Sequence, residues 1–172
     1  MNWSKAKTIL IAAFLATDLI LGSLLVAYTY KENSDIRKTT ESSIAYLERR
    51  GIKLAAELPE KQVKLPALHM VFSEEGSIYS EYEGVAIESR GDLDKVLISP
   101  SETKLSVLPV YNALLSCEKD FSEAKSDIEE IKLVYYIDVE SLAEDVSEDT
   151  ALPYWKLCGK EGIYFYYPAF SE

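Results

Sequence analysis

Four residues in this chain are of types that do chemistry on their own account: one histidine, two cysteines, and one carboxylate set in an apolar run. His69 stands in Leu68-His69-Met70-Val71-Phe72, where it reads as a satisfied structural histidine of a strand rather than a general base. Cys117 and Cys158 are permitted to pair in an oxidising compartment. One falls in an expected helix and the other in a distant expected strand, so their pairing stays open. One histidine and two cysteines cannot supply the four ligands of a zinc site without carboxylates, so no metal is expected. No G-x-S-x-G elbow, H-E-x-x-H helix, P-loop or dinucleotide fingerprint occurs. The chain therefore reads as a non-enzyme with no catalytic residues and no cofactor.

The fourth residue, Asp18, carries the strongest functional signal. From Thr8 to Tyr30 the chain has no basic residue and no acid other than Asp18. As a helix these residues would measure about 34 Å, enough to cross a hydrocarbon core of about 30 Å. Their Leu, Ile, Phe and Val side chains favour insertion by about 5 kcal/mol, against a cost of about 3 kcal/mol for a central aspartate, so the span survives its own charge. Trp3 at one end and Tyr28 and Tyr30 at the other suit the two aromatic belts. A carboxylate at that depth usually faces a partner or a wet cavity, the plainer alternative being a tolerated polar residue. At 100° per residue Asp18 shares a side with Ile11, Gly22 and Leu25. Ala12, Ala16, Ser23 and Ala27 form a small-residue stripe rotated away from it. Asp18, Gly22, Ala12, Ala16 and Ser23 are accordingly the expected contacts to a partner's membrane helix.

A cleaved signal peptide is the alternative for this segment. Its apolar stretch is longer than an ordinary h-region, and no good small-x-small cleavage site follows, so an uncleaved anchor is expected. Lys5 and Lys7 at one end nearly balance Lys31, Arg37 and Lys38 at the other. A short tail retained inside and a long domain exported outside is the favoured orientation.

The elements that follow must present these residues. Residues 32–50 read as a juxtamembrane helix with Ser34 as N-cap and Gly51 as its stop. Pro59 and Pro66 then bound an extended connector. Short strands are expected at Leu68–Phe72, Ile78–Tyr82, Val85–Glu88 and Val96–Ser99, separated by turns at Glu74-Glu75-Gly76, Glu83-Gly84 and Arg90-Gly91-Asp92. The spacing of Leu105, Leu108, Tyr111, Leu114 and Leu115 predicts a helix over Thr103–Cys117, beginning or kinking at Pro109. Ile131–Val139 alternates cleanly and predicts a strand. Tyr154–Cys158 and Gly162–Tyr167 predict a closing hairpin, whose aromatic residues suit sheet borders more than sugar or peptide stacking. The fold class expected is α+β: an antiparallel sheet packed with one or two helices behind an N-terminal transmembrane helix. The expected divisions are a tail at 1–7, the membrane helix at 8–30, the juxtamembrane helix and connector at 31–66, and the outer domain at 67–172.

A net charge of −11 argues against a nucleic-acid partner. The acids crowd into residues 101–150, which read as a solvated face. Glu140–Asp145 and Ser147–Asp149 lack the alternating ligands of a calcium loop.

Two blocks of sequence resemble the YycI family of regulatory proteins. One is Met1-Asn2-Trp3-Ser4-Lys5-Ala6-Lys7-Thr8-Ile9-Leu10-Ile11 with Phe14-Leu15-Ala16-Thr17-Asp18-Leu19-Ile20-Leu21-Gly22, continued by Tyr46-Leu47-Glu48-Arg49-Arg50-Gly51-Ile52-Lys53-Leu54. The other is Leu152-Pro153-Tyr154-Trp155-Lys156-Leu157 with Gly162-Ile163-Tyr164-Phe165-Tyr166-Tyr167. Asp18 departs from the asparagine expected of that pattern. The resemblance implies a single-pass cell-membrane protein with its N-terminus cytoplasmic and an extracytoplasmic α+β domain. It further implies a modulator of a WalK/YycG-type sensor histidine kinase in cell-wall control, with the kinase's transmembrane helices and a YycH-like protein as partners. The rival reading is an anchored extracytoplasmic module for cell wall or a protease, whose helix is only a tether.

Overall fold

The computed structural model describes residues 3–59, 64–93, 95–141 and 147–171. It opens with α1, one uninterrupted helix over Trp3–Arg49. The helices expected at 8–30 and 32–50 are thus a single element, and Ser34 lies inside it rather than at a cap. No glycine or proline stands between Ser23 and Arg50, and residues such as Lys31, Glu32, Arg37 and Lys38 are good helix formers, so nothing breaks the hydrogen-bond ladder. The expected stop does hold. Gly51 has φ 87°, its N–H donates to the Glu48 carbonyl at 3.0 Å, and the Ile52 N–H donates to the Leu47 carbonyl at 3.0 Å. This is a Schellman closure, and its customary apolar contact is supplied by Leu47 and Ile52, both buried in the core.

Among the described residues seven strands follow: β1 Lys64–Ser77, β2 Glu81–Tyr82, β3 Val85–Arg90, β4 Val96–Ser106, β5 Ile128–Asp138, β6 Glu148–Gly159 and β7 Tyr164–Pro168. Two short helices, α2 Tyr111–Ser116 and α3 Glu118–Ala124, lie between β4 and β5. The strands form one sheet in the order β2-β3-β5-β6-β1-β4, with β7 on β6. The class is α+β as expected, but the sheet is mixed rather than antiparallel, because β3 runs parallel to β5 from Ala86↔Val134 to Arg90↔Asp138. A parallel pair needs a crossover, and the chain spanning β4, α2 and α3 provides it.

Three local expectations are corrected. Glu74-Glu75-Gly76 is not a turn but the irregular end of β1, where the register shifts between Phe72 and Ser77. Gly76 is there for proximity: a Cβ would lie 2.6 Å from the backbone nitrogen and carbonyl carbon of Val96. The helix expected over Thr103–Cys117 starts only at Tyr111, two residues after Pro109, and Thr103–Ser106 belongs to β4. Pro66 does not close a connector but lies within β1, and its carbonyl accepts the Tyr135 hydroxyl at 2.9 Å. By contrast Glu83 and Gly84, with φ 48° and 80°, form the two-residue turn between β2 and β3.

Alternation along β5, β6 and β7 separates two faces. Tyr135, Ile137, Trp155, Leu157 and Tyr167 point into a core shared with Val110, Ala113, Leu114, Cys117 and Phe121 of the α2–α3 region. Polar tips on this side are all engaged: the Trp155 indole donates to the Leu108 carbonyl at 2.8 Å, and the Tyr167 hydroxyl donates to Asp120 at 2.6 Å. The carboxylate of Asp127 ties three segments together by accepting from the Lys53 N–H and the Lys160 ammonium, each at 2.9 Å. Those donors, the backbone one first, hold its carboxyl below the usual range.

The chain divides into two compact units, residues 1–39 and 40–172. A fragment of residues 31–172 keeps the second unit whole, including the fully buried Leu47. It should be soluble, show mixed helix and sheet by circular dichroism, and melt cooperatively. An unfolded or aggregated fragment would mean that the first thirty residues complete the fold.

Candidate functional site

Two surfaces carry the functional signal. The first is the amino-terminal part of α1, the one helix among the described residues that is long and apolar enough to cross a membrane. Leu10, Ile11, Phe14, Leu15, Leu19, Ile20, Leu21, Leu24, Leu25 and Val26 are all exposed on it. So continuous an apolar surface is rare on a water-facing helix, where one polar face is the rule. Three of its hydroxyls turn back on the helix itself: Thr17 donates to the Ala13 carbonyl at 2.9 Å, Ser23 to Ile20 at 2.8 Å and Thr29 to Leu25 at 2.8 Å. Such internal closure is what a helix without water requires.

Asp18 is different, since no hydrogen bond or ion pair reaches it among the described residues. Gly22 lies one turn on, and a Cβ there would meet nothing within 4 Å. Ala16 and Ser23 are exposed on the other stripe, and Ala12 lies on the same helix. Asp18, Gly22, Ala16 and Ser23 are all exposed on the helix.

The second surface is the outer face of the sheet. In β5, β6 and β7, Tyr136, Tyr154, Lys156, Tyr164 and Tyr166 occupy the positions that alternate with the core. Glu88 of β3 pairs in register with Tyr136 and shares that side. The Tyr166 ring lies across the sheet, stacked on Tyr136 with centroids 4.1 Å apart, and its hydroxyl donates to Glu88 at 2.5 Å. The Lys156 ammonium, 4.7 Å from the Tyr164 centroid, donates to the same carboxylate at 2.7 Å. Burial first, then the bond to Glu88, pushes the Tyr166 phenol well above its ordinary value. The hairpin was legible in sequence; the participation of Glu88, Tyr136 and Lys156 rests on strand pairings that no local pattern contains.

No family model, curated protein or solved structure matches this chain.

The remaining chemical candidates are not assembled into a site. His69 points out between the buried Leu68 and Met70, half exposed, with Nε2 3.4 Å from Glu148. It is thus neither sealed in the core, as a structural histidine would be, nor set in a cleft of carboxylates. Strand alternation is the reason: the apolar neighbours take the inner positions and leave His69 the outer one. Both cysteines are free. Burial pushes the Cys117 thiol up to about 12, which suits an inert core side chain rather than a nucleophile. Among the described residues no group of three or more His, Cys, Asp or Glu could hold a metal ion. Leu142–Val146, in the acidic stretch weighed for calcium, lie outside the described residues.

Proposed function

We propose that this chain is a single-pass membrane regulator whose helix packs against the transmembrane helices of a WalK/YycG-type sensor histidine kinase. In this reading the N-terminus is cytoplasmic, the folded domain is extracytoplasmic, and a YycH-like protein joins the complex. The observation that carries it is the exposed apolar surface of α1 with a single unpartnered carboxylate set within it. An intramembrane carboxylate with no partner among the described residues calls for one in another chain. The resemblance of the opening and closing segments to the YycI family supports the choice of partner. No catalytic step is needed. A regulator that binds two kinase states with affinities differing by a few kcal/mol shifts their populations, about 5.5 kcal/mol being enough to move 1:99 to 99:1.

Asp18 gives the test. Asp18→Leu should insert more readily, by about 3 kcal/mol, yet lose crosslinking to the kinase's membrane helices. Asp18→Asn should keep much of the contact, because an amide still bonds between helices for roughly 0.6–2 kcal/mol. Equal crosslinking of the wild type and both variants would remove Asp18 from the interface. The second reading, a tethered binding module, draws on the aromatic outer face of the sheet. Replacing the span with an unrelated one separates the two: a tether tolerates the exchange, and a helix-packing regulator does not.

A further inference from the structure

The outer face of β3, β5, β6 and β7 differs from the rest of the molecule in charge as well as in aromatic content. The chain carries a net charge of −11, yet around the rings of this face Glu88, Glu130 and Asp138 are balanced by Arg90, Lys132 and Lys156, the further carboxylate of Glu148 lying at the start of β6 beside His69. These charges are also spent on one another or at the rim. Lys156 bonds Glu88 at 2.7 Å, Lys132 bonds Glu130 at 2.9 Å, and Arg90 lies 3.8 Å from Asp138 and 2.9 Å from Glu140. Between them runs a continuous line of rings. Phe170 meets Tyr154 at 5.7 Å, Tyr154 meets Tyr136 at 5.3 Å, and Tyr166 meets Tyr164 at 5.5 Å, with the Tyr136–Tyr166 stack joining the two halves. Tyr164 is 53% exposed, and Lys156 over one side of its ring fixes its orientation.

We propose that this face binds a neutral oligosaccharide. Aromatic rings carry negative charge on their faces, which attracts the weakly positive C–H groups on the flat side of a pyranose. The phenol hydroxyls and the Glu88–Lys156 pair beside the rings supply donors and acceptors for sugar hydroxyls. Charge complementarity selects the uncharged ligand. A polyanion needs unspent cations and a polycation needs unspent carboxylates, and the face offers neither in excess. A rigid tyrosine with two rotatable bonds gives contact area at little entropic cost, and this network holds its rings in place before any ligand arrives. The proposal concerns a ligand of the folded domain and does not depend on a kinase partner.

The test uses the full chain in phosphatidylcholine nanodiscs, which avoids glycoside detergents. Chitotetraose and cellotetraose are titrated to millimolar concentration while the aromatic ring signals are followed by NMR. One or both sugars should shift the tyrosine rings in a saturable way and leave the Trp155 indole, buried on the opposite face, unmoved. Tyr164→Ala should weaken binding roughly 3- to 10-fold, the scale of one lost aromatic contact, without changing the melting temperature. Absence of saturable shifts with both sugars would overturn the proposal. So would binding indifferent to Tyr164→Ala in a folded protein, or shifts of these rings by a proline-rich peptide or by self-association when the sugars cause none.

Discussion

Phe121→Ala should destabilise the folded domain by about 3–5 kcal/mol, a large share of the roughly 5–15 kcal/mol that holds a domain together. Phe121 is fully buried and meets Phe165 edge-to-face, with ring centroids 5.2 Å apart and planes at 66°. It is also the side chain over which the β6–β7 connection closes. A Cβ on Gly159 would lie 3.1 Å from Phe121 Cε1 and would clash with Ser126 Oγ, so ring, hydroxyl and backbone already fill the space. A site so tightly bounded collapses poorly when emptied, and the uncollapsed volume adds to the lost transfer energy. Urea unfolding of the 31–172 fragment would measure the loss, and the melting temperature should fall by roughly 10–20 °C. Phe121→Leu, which leaves a smaller void, should cost less. A loss below about 1 kcal/mol for Phe121→Ala would mean that α3 relaxes into the gap and contributes little to the core.

Which features were legible in the sequence follows from how local their causes are. The β5 strand declares itself because apolar or aromatic Ile131, Leu133, Tyr135 and Ile137 recur at every second position in a run rich in β-formers, and the stop of α1 declares itself because only a glycine takes φ 87° so cheaply. The parallel pairing of β3 with β5 has no such local cause. It joins Ala86 to Val134 across a crossover, and short connections alone suggest antiparallel neighbours. Gly76 misled for a related reason. A glycine in a strand marks either a turn or a close approach, and the Val96 backbone that decides between them is remote in sequence. The same logic divides the two functional surfaces. The apolar run around Asp18 is contiguous and could be read directly. The aromatic face gathers Glu88, Tyr136, Lys156 and Tyr166 from four strands, and only the register brings them together.

Stability should fall steeply in alkali, because the core keeps phenolic protons that the unfolded chain releases. Burial, with Glu83 and Tyr82 adding smaller contributions, pushes Tyr135 up to about 12. Burial and its bond to Asp120 push Tyr167 higher still. In the unfolded chain both return to about 10. Below that pH both states are fully protonated, and the favourable contribution is complete. Above it the unfolded state binds fewer protons than the native state, so the unfolding free energy declines as pH rises. Each group contributes a slope of about 1.4 kcal/mol per pH unit, and together these two give at most about 3 kcal/mol per unit until Tyr135 itself ionises. Half-buried Tyr166 shifts the same way but adds less, since solvent screens it. Urea midpoints measured on either side of this threshold, with tyrosinate absorbance followed in parallel, would show stability dropping before the buried phenols ionise. Tyr167→Phe should reduce the slope by about one group's share. It should also lower stability at neutral pH, because the Asp120 carboxylate loses the hydroxyl 2.6 Å away that satisfies it. A flat profile through the ordinary tyrosine range would mean that these phenols are hydrated in the folded state, and the core drawn around Tyr135 and Tyr167 would have to be opened to water.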